Sequence, residues 1–323
     1  MKKIASLLIA LTIFLIATSY ANEFKDRQDA YSALMKPLLG FKKKDVDFKK
    51  FKEYEIKALL PVFRPVPATT IYTHPTNKEK QVSVSGSFMT EAEITNLQYL
   101  FFLNSNDTLP LNIQPYIDIS QESCRIKKSG DKYIVEEGYE DFPVVNVSYF
   151  GCEAYCHWLT EWFVNKQFEN KEEASFPRFR LPLYLEWNAA SLYEKSYSPE
   201  DSVNYSELAP LGDYAWYEQN SGNSIHKIKE KKSTYLEFYD LKGNAAEWVL
   251  DVDARQVITD GYQYNVSNES TDSASVCGGS FAENEEDLNY YANIILAKGT
   301  QTPSIGFRIS VPFLLRSSSY EFD

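Results

Sequence analysis

Residues 239–248, Tyr-Asp-Leu-Lys-Gly-Asn-Ala-Ala-Glu-Trp, constrain the fold more than any other stretch of this chain. Gly243 and Asn244 tolerate positive φ, so the backbone can reverse between two carboxylates and a large aromatic. Asp240, Glu247 and the carbonyls between them carry oxygen donors of the kind that surround a hard cation such as Ca²⁺. The alternative reading of the same residues is a loop whose Trp248 fills a core.

The rest of the chain narrows the class. Net charge is −12, which argues against a nucleic-acid partner, because phosphate neutralisation needs clustered Lys and Arg. Met1 to Ala21 reads as a secretory signal: Lys2 and Lys3, an apolar run from Ile4 to Ala17, and small residues at Ser19 and Ala21. No cysteine lies near that cleavage point, which argues against a lipid anchor, and no later stretch is long and apolar enough to span a bilayer. The mature protein is therefore expected to be soluble and exported, periplasmic or extracellular. Its four cysteines are Cys124, Cys152, Cys156 and Cys277; Cys152 and Cys156, four apart on a predicted helix, are expected as small core residues or bonded to distant partners, the alternative being a metal or redox pair. Four cysteines allow three complete pairings.

In chain order, residues 1–21 are the signal peptide and residues 22–80 an N-terminal helical extension with a Pro-rich connector. Residues 81–313 form the main domain and residues 314–323 a polar tail. The extension carries seven lysines against four acids over 42–57. It is either a solvated lysine face or a basic surface for an anionic partner. Gln81 to Phe88 alternates as a strand. Thr95 and Gln98 have the spacing of a capping box that opens a helix, with Leu97, Leu100 and Phe101 predicted on its face. Phe142 to Val147 reads as a short strand. Ser148 is placed to cap a helix whose buried stripe is Cys152, Tyr155, Cys156, Leu159 and Phe163. Pro182 fits the first turn of another helix. Residues 104–141 and 195–235 read as surface insertions without hydrophobic period, and 306–311 as a last strand. Tyr155, Leu159, Trp187, Trp248, Phe281 and Phe307 are the predicted core.

Seven segments carry a resemblance: Phe88–Tyr99, Pro143–Ser148, Ala154–Leu159, Arg180–Pro182 with Glu186-Trp187, Tyr239–Trp248, Gly278–Phe281 and Gly306–Arg308. Each is weak alone. In this order, over roughly residues 83 to 312, they resemble the formylglycine-generating enzyme family, also called the sulfatase-modifying factor domain. The resemblance implies an α+β, C-type-lectin-like, loop-rich fold.

Active members of that family bind copper through two cysteine thiolates that follow the Gly-Gly-Ser-aromatic segment, soft ligands suited to Cu(I). The matching positions here are Glu283 and Leu288, so the resemblance implies no copper and no catalytic cysteine pair. It implies instead a Ca²⁺ held by the Asp240 and Glu247 carboxylates and the Gly243 and Ala245 carbonyls. Other departures are Leu183 in place of a capping Thr, Ala246 in place of a Trp, and Cys277 where an arginine is common. The three histidines, His74, His157 and His226, lack the spacing of the triad in an iron-dependent relative.

Three functions stay open at this level. One is a binding or scaffold domain of a cell-envelope assembly, by comparison with relatives in gliding motility and type 9 secretion, with envelope proteins or a second copy as partner. Another is an enzyme of altered chemistry using Glu283 with Asp287 or Glu285. The last is a lectin-like ligand-binding module.

Overall fold

The first described strand carries a proline. The computed structural model describes residues 61–66, 69–72, 81–84, 86–105, 112–167, 179–192, 210–234, 236–250, 272–288 and 293–312, all within the unit Phe51–Asp323. The predicted signal peptide, the helical part of the extension and the polar tail fall outside them. Strand β1 (Phe63–Val66) pairs antiparallel with β4 (Ser87–Thr90), which also pairs with β11 (Ser310–Pro312). The sheet order is β1-β4-β11. Pro65 is tolerated because β1 is the edge strand among the described residues, where a missing N–H costs no ladder bond. Phe63–Val66, within the Pro-rich connector, thus pairs into one of the main sheets. Within the stretch expected as one strand, β3 (Gln81–Val84) pairs with β2 (Thr69–Tyr72) and β4 pairs elsewhere, so the run serves two sheets.

Helix α1 (Asn96–Ser105) starts where its capping box predicts. The Thr95 N–H donates to Gln98 Oε1 at 2.9 Å and the Gln98 N–H to Thr95 Oγ1 at 3.3 Å. Its buried face is Gln98, Tyr99, Phe102 and Leu103, one position round from the predicted Leu97, Leu100 and Phe101. Aromatic packing decides this. The Tyr99 and Tyr155 rings stack at 5.8 Å, and Phe102 meets Tyr155 edge-on at 5.8 Å.

Tyr155 sits on α2 (Tyr149–Gln167), whose first turn is capped by Ser148: its Oγ accepts the Gly151 N–H at 3.1 Å. Cys152, Tyr155, Cys156 and Leu159 are buried as the stripe predicts, and the side chain of Phe163 lies outside the described ones. All four cysteines are buried and free, so the core alternative holds over the disulfide one. Helix α3 (Tyr184–Leu192) begins two residues after Pro182, which stands outside its first turn. Glu186 reaches back to the Leu183 N–H at 3.0 Å. Leu183 has no side-chain oxygen to return the bond, so only half a capping box forms.

The second main sheet has the order β10-β7-β8-β9, from β7 (Ala246–Trp248), β8 (Ser273–Cys277), β9 (Asn293–Ala297) and β10 (Ile305–Phe307). The predicted last strand is in fact two, β10 and β11, in different sheets with Arg308 between them. Phe142 to Val147 makes only isolated bridges, Thr95 with Pro143 and Ile117 with Val147. The segment 104–141 contains a hairpin, β5 (Ile126–Ser129) and β6 (Lys132–Val135), turning at Gly130. Of the predicted core, five residues are buried and Phe281 is half-buried. Among the described residues no helix is long and apolar enough to cross a membrane.

Candidate functional site

The turn predicted at Gly243-Asn244 forms, and its backbone is left-handed at three places: Asp240 (φ 54), Gly243 (φ 71) and Asn244 (φ 54). At Gly243 a side chain is excluded outright, since a Cβ would lie 2.0 Å from the Trp216 carbonyl oxygen. Asn244 then ties the turn to its neighbours. Its Oδ1 accepts the His226 N–H at 2.9 Å, and its Nδ2 donates to Glu93 Oε1 at 3.2 Å.

Glu247 leaves the turn into a fully buried ion pair. Arg308 Nη2 donates to its Oε1 at 2.6 Å and Arg308 Nε to its Oε2 at 2.6 Å. Trp187 Nε1 adds a third bond to Oε2 at 2.7 Å. The guanidinium donates further to the Thr90 carbonyl at 3.1 Å and the Tyr239 carbonyl at 2.9 Å. One arginine thus joins β4, the turn, β7 and, through Glu247, helix α3. Burial opposes its charge, but Glu247, with Glu93 and Asp240, outweighs that and holds the Arg308 pKa above its ordinary value.

Two further carboxylates face this pair. Glu93 is buried; desolvation, then the charges of Asp240 and Glu247, push its pKa well up and favour its neutral form. Asp240 accepts the Lys229 N–H on Oδ2 at 2.7 Å, and burial chiefly raises its pKa to about 6. Among the described residues, Glu93 Oε2 and Asp240 Oδ1 have no hydrogen-bond partner.

The four-oxygen calcium set does not fit this arrangement. Both Glu247 oxygens are committed to Arg308 and Trp187, and a divalent cation there would face a buried guanidinium. Asp240 has a free oxygen, but Glu247 has none to share with it. Among the described residues no group of three or more His, Cys, Asp or Glu side chains is placed to hold a metal.

The raised acids carry a pH signature. A carboxyl whose folded pKa lies above its unfolded value favours the folded state while protonated. That contribution is complete below pH about 4, the unfolded range, and is lost as pH rises through about 6. Replacing Asp240 by Asn keeps an acceptor for the Lys229 N–H and removes the charge. The variant is expected to be roughly 1–3 kcal/mol more stable than wild type at pH 8 and indistinguishable near pH 4. Urea midpoints at the two pH values check this, and equal stabilities at pH 8 would refute it.

The positions aligned with the family cysteines hold the loop together. Glu283 Oε2 accepts the Ser280 N–H at 2.7 Å and the Ser280 hydroxyl, while its own carbonyl accepts the Glu218 N–H at 2.9 Å. Leu288 is 1% exposed, and its Cδ2 lies 2.3 Å from where a Cβ on Gly279 would be. Of the carboxylates offered as an acid–base set, Glu283 accepts from Ser280 and Asp287 from Asn284 Nδ2 at 2.7 Å.

Sequence reasoning missed Glu93, Arg308 and the order in 210–234. There His226 stacks on Trp216 with centroids 3.7 Å apart, Lys231 lies over the same indole, and Asn220 donates to the Ala215 carbonyl. Trp216 and His226, ten residues apart in a polar stretch, are the signal that could have found it.

Among the described residues, two main sheets, two small two-stranded sheets, three α-helices and long loops pinned by side chains on one buried arginine define the class: a loop-rich α+β formylglycine-generating-enzyme fold. Residues 65–311 match the sulfatase-modifying factor enzyme 1-like domain family, and the chain belongs to that family. Solved structures agree at the level of fold. Treponema denticola variable protein 1 is 21% identical with TM-score 0.53, over 77% of this chain and 94% of that one. CarF is 18% identical with TM-score 0.53, over 79% and 99%. PvdO from Pseudomonas aeruginosa is 15% identical with TM-score 0.55, over 79% and 95%. The serine/threonine-protein kinase Pkn1 of Chlamydia trachomatis serovar L2 is 22% identical over 174 residues, 53% of this chain and 24% of its own length. The chain thus spans about a quarter of that relative.

Proposed function

We propose that this is a non-catalytic sulfatase-modifying-factor-like domain, exported, that acts as a binding or scaffold component of a cell-envelope assembly. The observation that carries the reading is the fate of the two positions aligned with the copper cysteines. Copper oxidation needs a pair of thiolates. Glu283 supplies a hard carboxylate spent on Ser280, and Leu288 supplies a buried hydrocarbon packed on Gly279. Both side chains stabilise a loop, and the Arg308–Glu247 framework around them is intact. A fold kept for its surface needs that framework and has no need of the thiols.

The partners the reading implies are envelope proteins or a second copy of the chain. Gliding-motility or type 9 secretion assemblies are the comparison that the family resemblance supports. An acidic body with a lysine-rich segment over 42–57 has the charge asymmetry that steers complementary surfaces together.

Affinity capture from the native envelope, followed by partner identification, is expected to recover a stable stoichiometric complex. The purified protein, supplied with copper and a sulfatase-type cysteine peptide, is expected to form no aldehyde. Copper-dependent formylglycine would overturn the reading, as would recovery only as an unpartnered monomer.

A further inference from the structure

A cavity of about 330 Å³ lies between residues 61–62, the segment leading into α1 and the loop 227–230, and Glu93 of the carboxylate cluster lines it. Its volume falls at the lower end of the ~300–1,000 Å³ usual for small-molecule sites. Pro61, Val62, Ala92 and Ile228 form the apolar part of its wall.

Glu93 is 2% exposed, and its two oxygens are treated unequally. Oε1 accepts the Asn244 Nδ2 at 3.2 Å and the Ala245 N–H at 3.4 Å. Oε2 has no hydrogen-bond partner among the described residues. The same Asn244 Nδ2 also donates to the His226 carbonyl at 3.3 Å, which puts the carboxyl against the strip of chain that continues into the 227–230 wall. A buried oxygen of this kind calls for a donor. The sign of the surrounding charge calls for a cationic one. At Glu93 the charges of Asp240 and Glu247 each outweigh that of Arg308. On the wall, Glu91 is balanced by Arg64 and Lys229, and the exposed rim adds Asp141 and Glu230 against Lys227, a field that draws cations toward the opening. A metal ion is a poor candidate, because it needs several oxygens converging on one point. Among the described residues no group of three or more acids, His or Cys is placed to supply them. One bare carboxyl oxygen beside an aliphatic wall suits an alkylammonium instead.

We propose that this cavity binds a small aliphatic primary amine, whose ammonium donates to Glu93 Oε2 and whose hydrocarbon chain covers Val62, Ala92 and Ile228. The ammonium supplies the donor that the buried oxygen lacks, and the chain takes the apolar wall out of water. This is a ligand site separate from the surface that holds a protein partner, so its failure leaves the capture experiment untouched.

Isothermal titration of the purified chain with butylammonium chloride tests it. Butan-1-ol keeps the hydrocarbon chain with a neutral donor, and butyltrimethylammonium keeps the charge with no N–H. Butylammonium is expected to bind, and each analogue to bind about tenfold or more weakly, the loss typical of one hydrogen bond to a charged group. Glu93→Gln keeps an oxygen for Asn244 Nδ2 and the Ala245 N–H and puts an amide donor in place of Oε2. It is expected to weaken butylammonium about tenfold or more, its melting transition showing that the variant is folded. If that variant does not fold, the three ligands on the wild-type chain decide. Absence of heat with butylammonium, equal binding of butan-1-ol or butyltrimethylammonium, or wild-type affinity in folded Glu93→Gln would each overturn the proposal.

Discussion

Replacing Arg308 by Met is expected to lower the unfolding free energy by about 3–5 kcal/mol, the cost of leaving the partner of a buried ion pair uncompensated. Glu247 would remain 1% exposed with one Trp187 N–H in place of three donors. The Thr90 and Tyr239 carbonyls would each lose a bond as well. Glu93 and Asp240 would lose the one cation that offsets them, pushing both further toward the neutral form. Glu247→Gln on the wild-type background strands the guanidinium instead and should cost a similar amount. The double variant, Arg308→Met with Glu247→Gln, removes both charges. It should recover a large part of the loss, because a buried pair contributes little net stability over apolar groups of similar volume. Urea unfolding of the three variants gives the coupling directly. Additive losses in the double variant, or a loss under about 1 kcal/mol in Arg308→Met, would show that Arg308 does not hold these segments together.

The local parts of this fold were readable and the long-range parts were not. Thr95 with Gln98 and Ser148 with Gly151 act through neighbours three positions away, and Gly243-Asn244 through their own tolerance of positive φ, so residue type and spacing suffice. The buried face of α2 was legible for the same reason. The face of α1 was not, since it is set by Tyr155 and Phe307 from other elements and carries polar Gln98 inward. The carboxylates at 240 and 247 were legible as a pair of acids, but the guanidinium that claims Glu247 is 61 positions away. Without it, oxygen donors around a turn look like a cation site. Residues 210–234 lacked a period because side-chain bonds from Asn220, Ser221 and Asn244 order them, with no hydrophobic stripe to leave a trace. Glu93 stands between Ala92 and Ile94 with no spacing that sets it apart, and only the tertiary fold buries it.

Truncating Trp248 to Ala is expected to cost about 3–5 kcal/mol, the range for deleting a buried aromatic. Trp248 is fully buried at the centre of a sheet, paired with Phe307 on one side and Val276 on the other. Its indole N–H donates to the Val147 carbonyl at 3.2 Å, and its ring meets Tyr149 edge-on at 6.0 Å. Alanine would leave a cavity walled by two strands and the first turn of α2, elements whose backbone bonds prevent them from closing over it. Trp248→Phe separates the contributions: it keeps most of the apolar volume and gives up the hydrogen bond, for roughly 1–2 kcal/mol. If Trp248→Ala is too unstable to purify, the phenylalanine variant still reports. Thermal and urea unfolding give both numbers. Wild-type stability in Trp248→Phe would show that the Val147 bond contributes nothing, and wild-type stability in Trp248→Ala would remove this residue from the core.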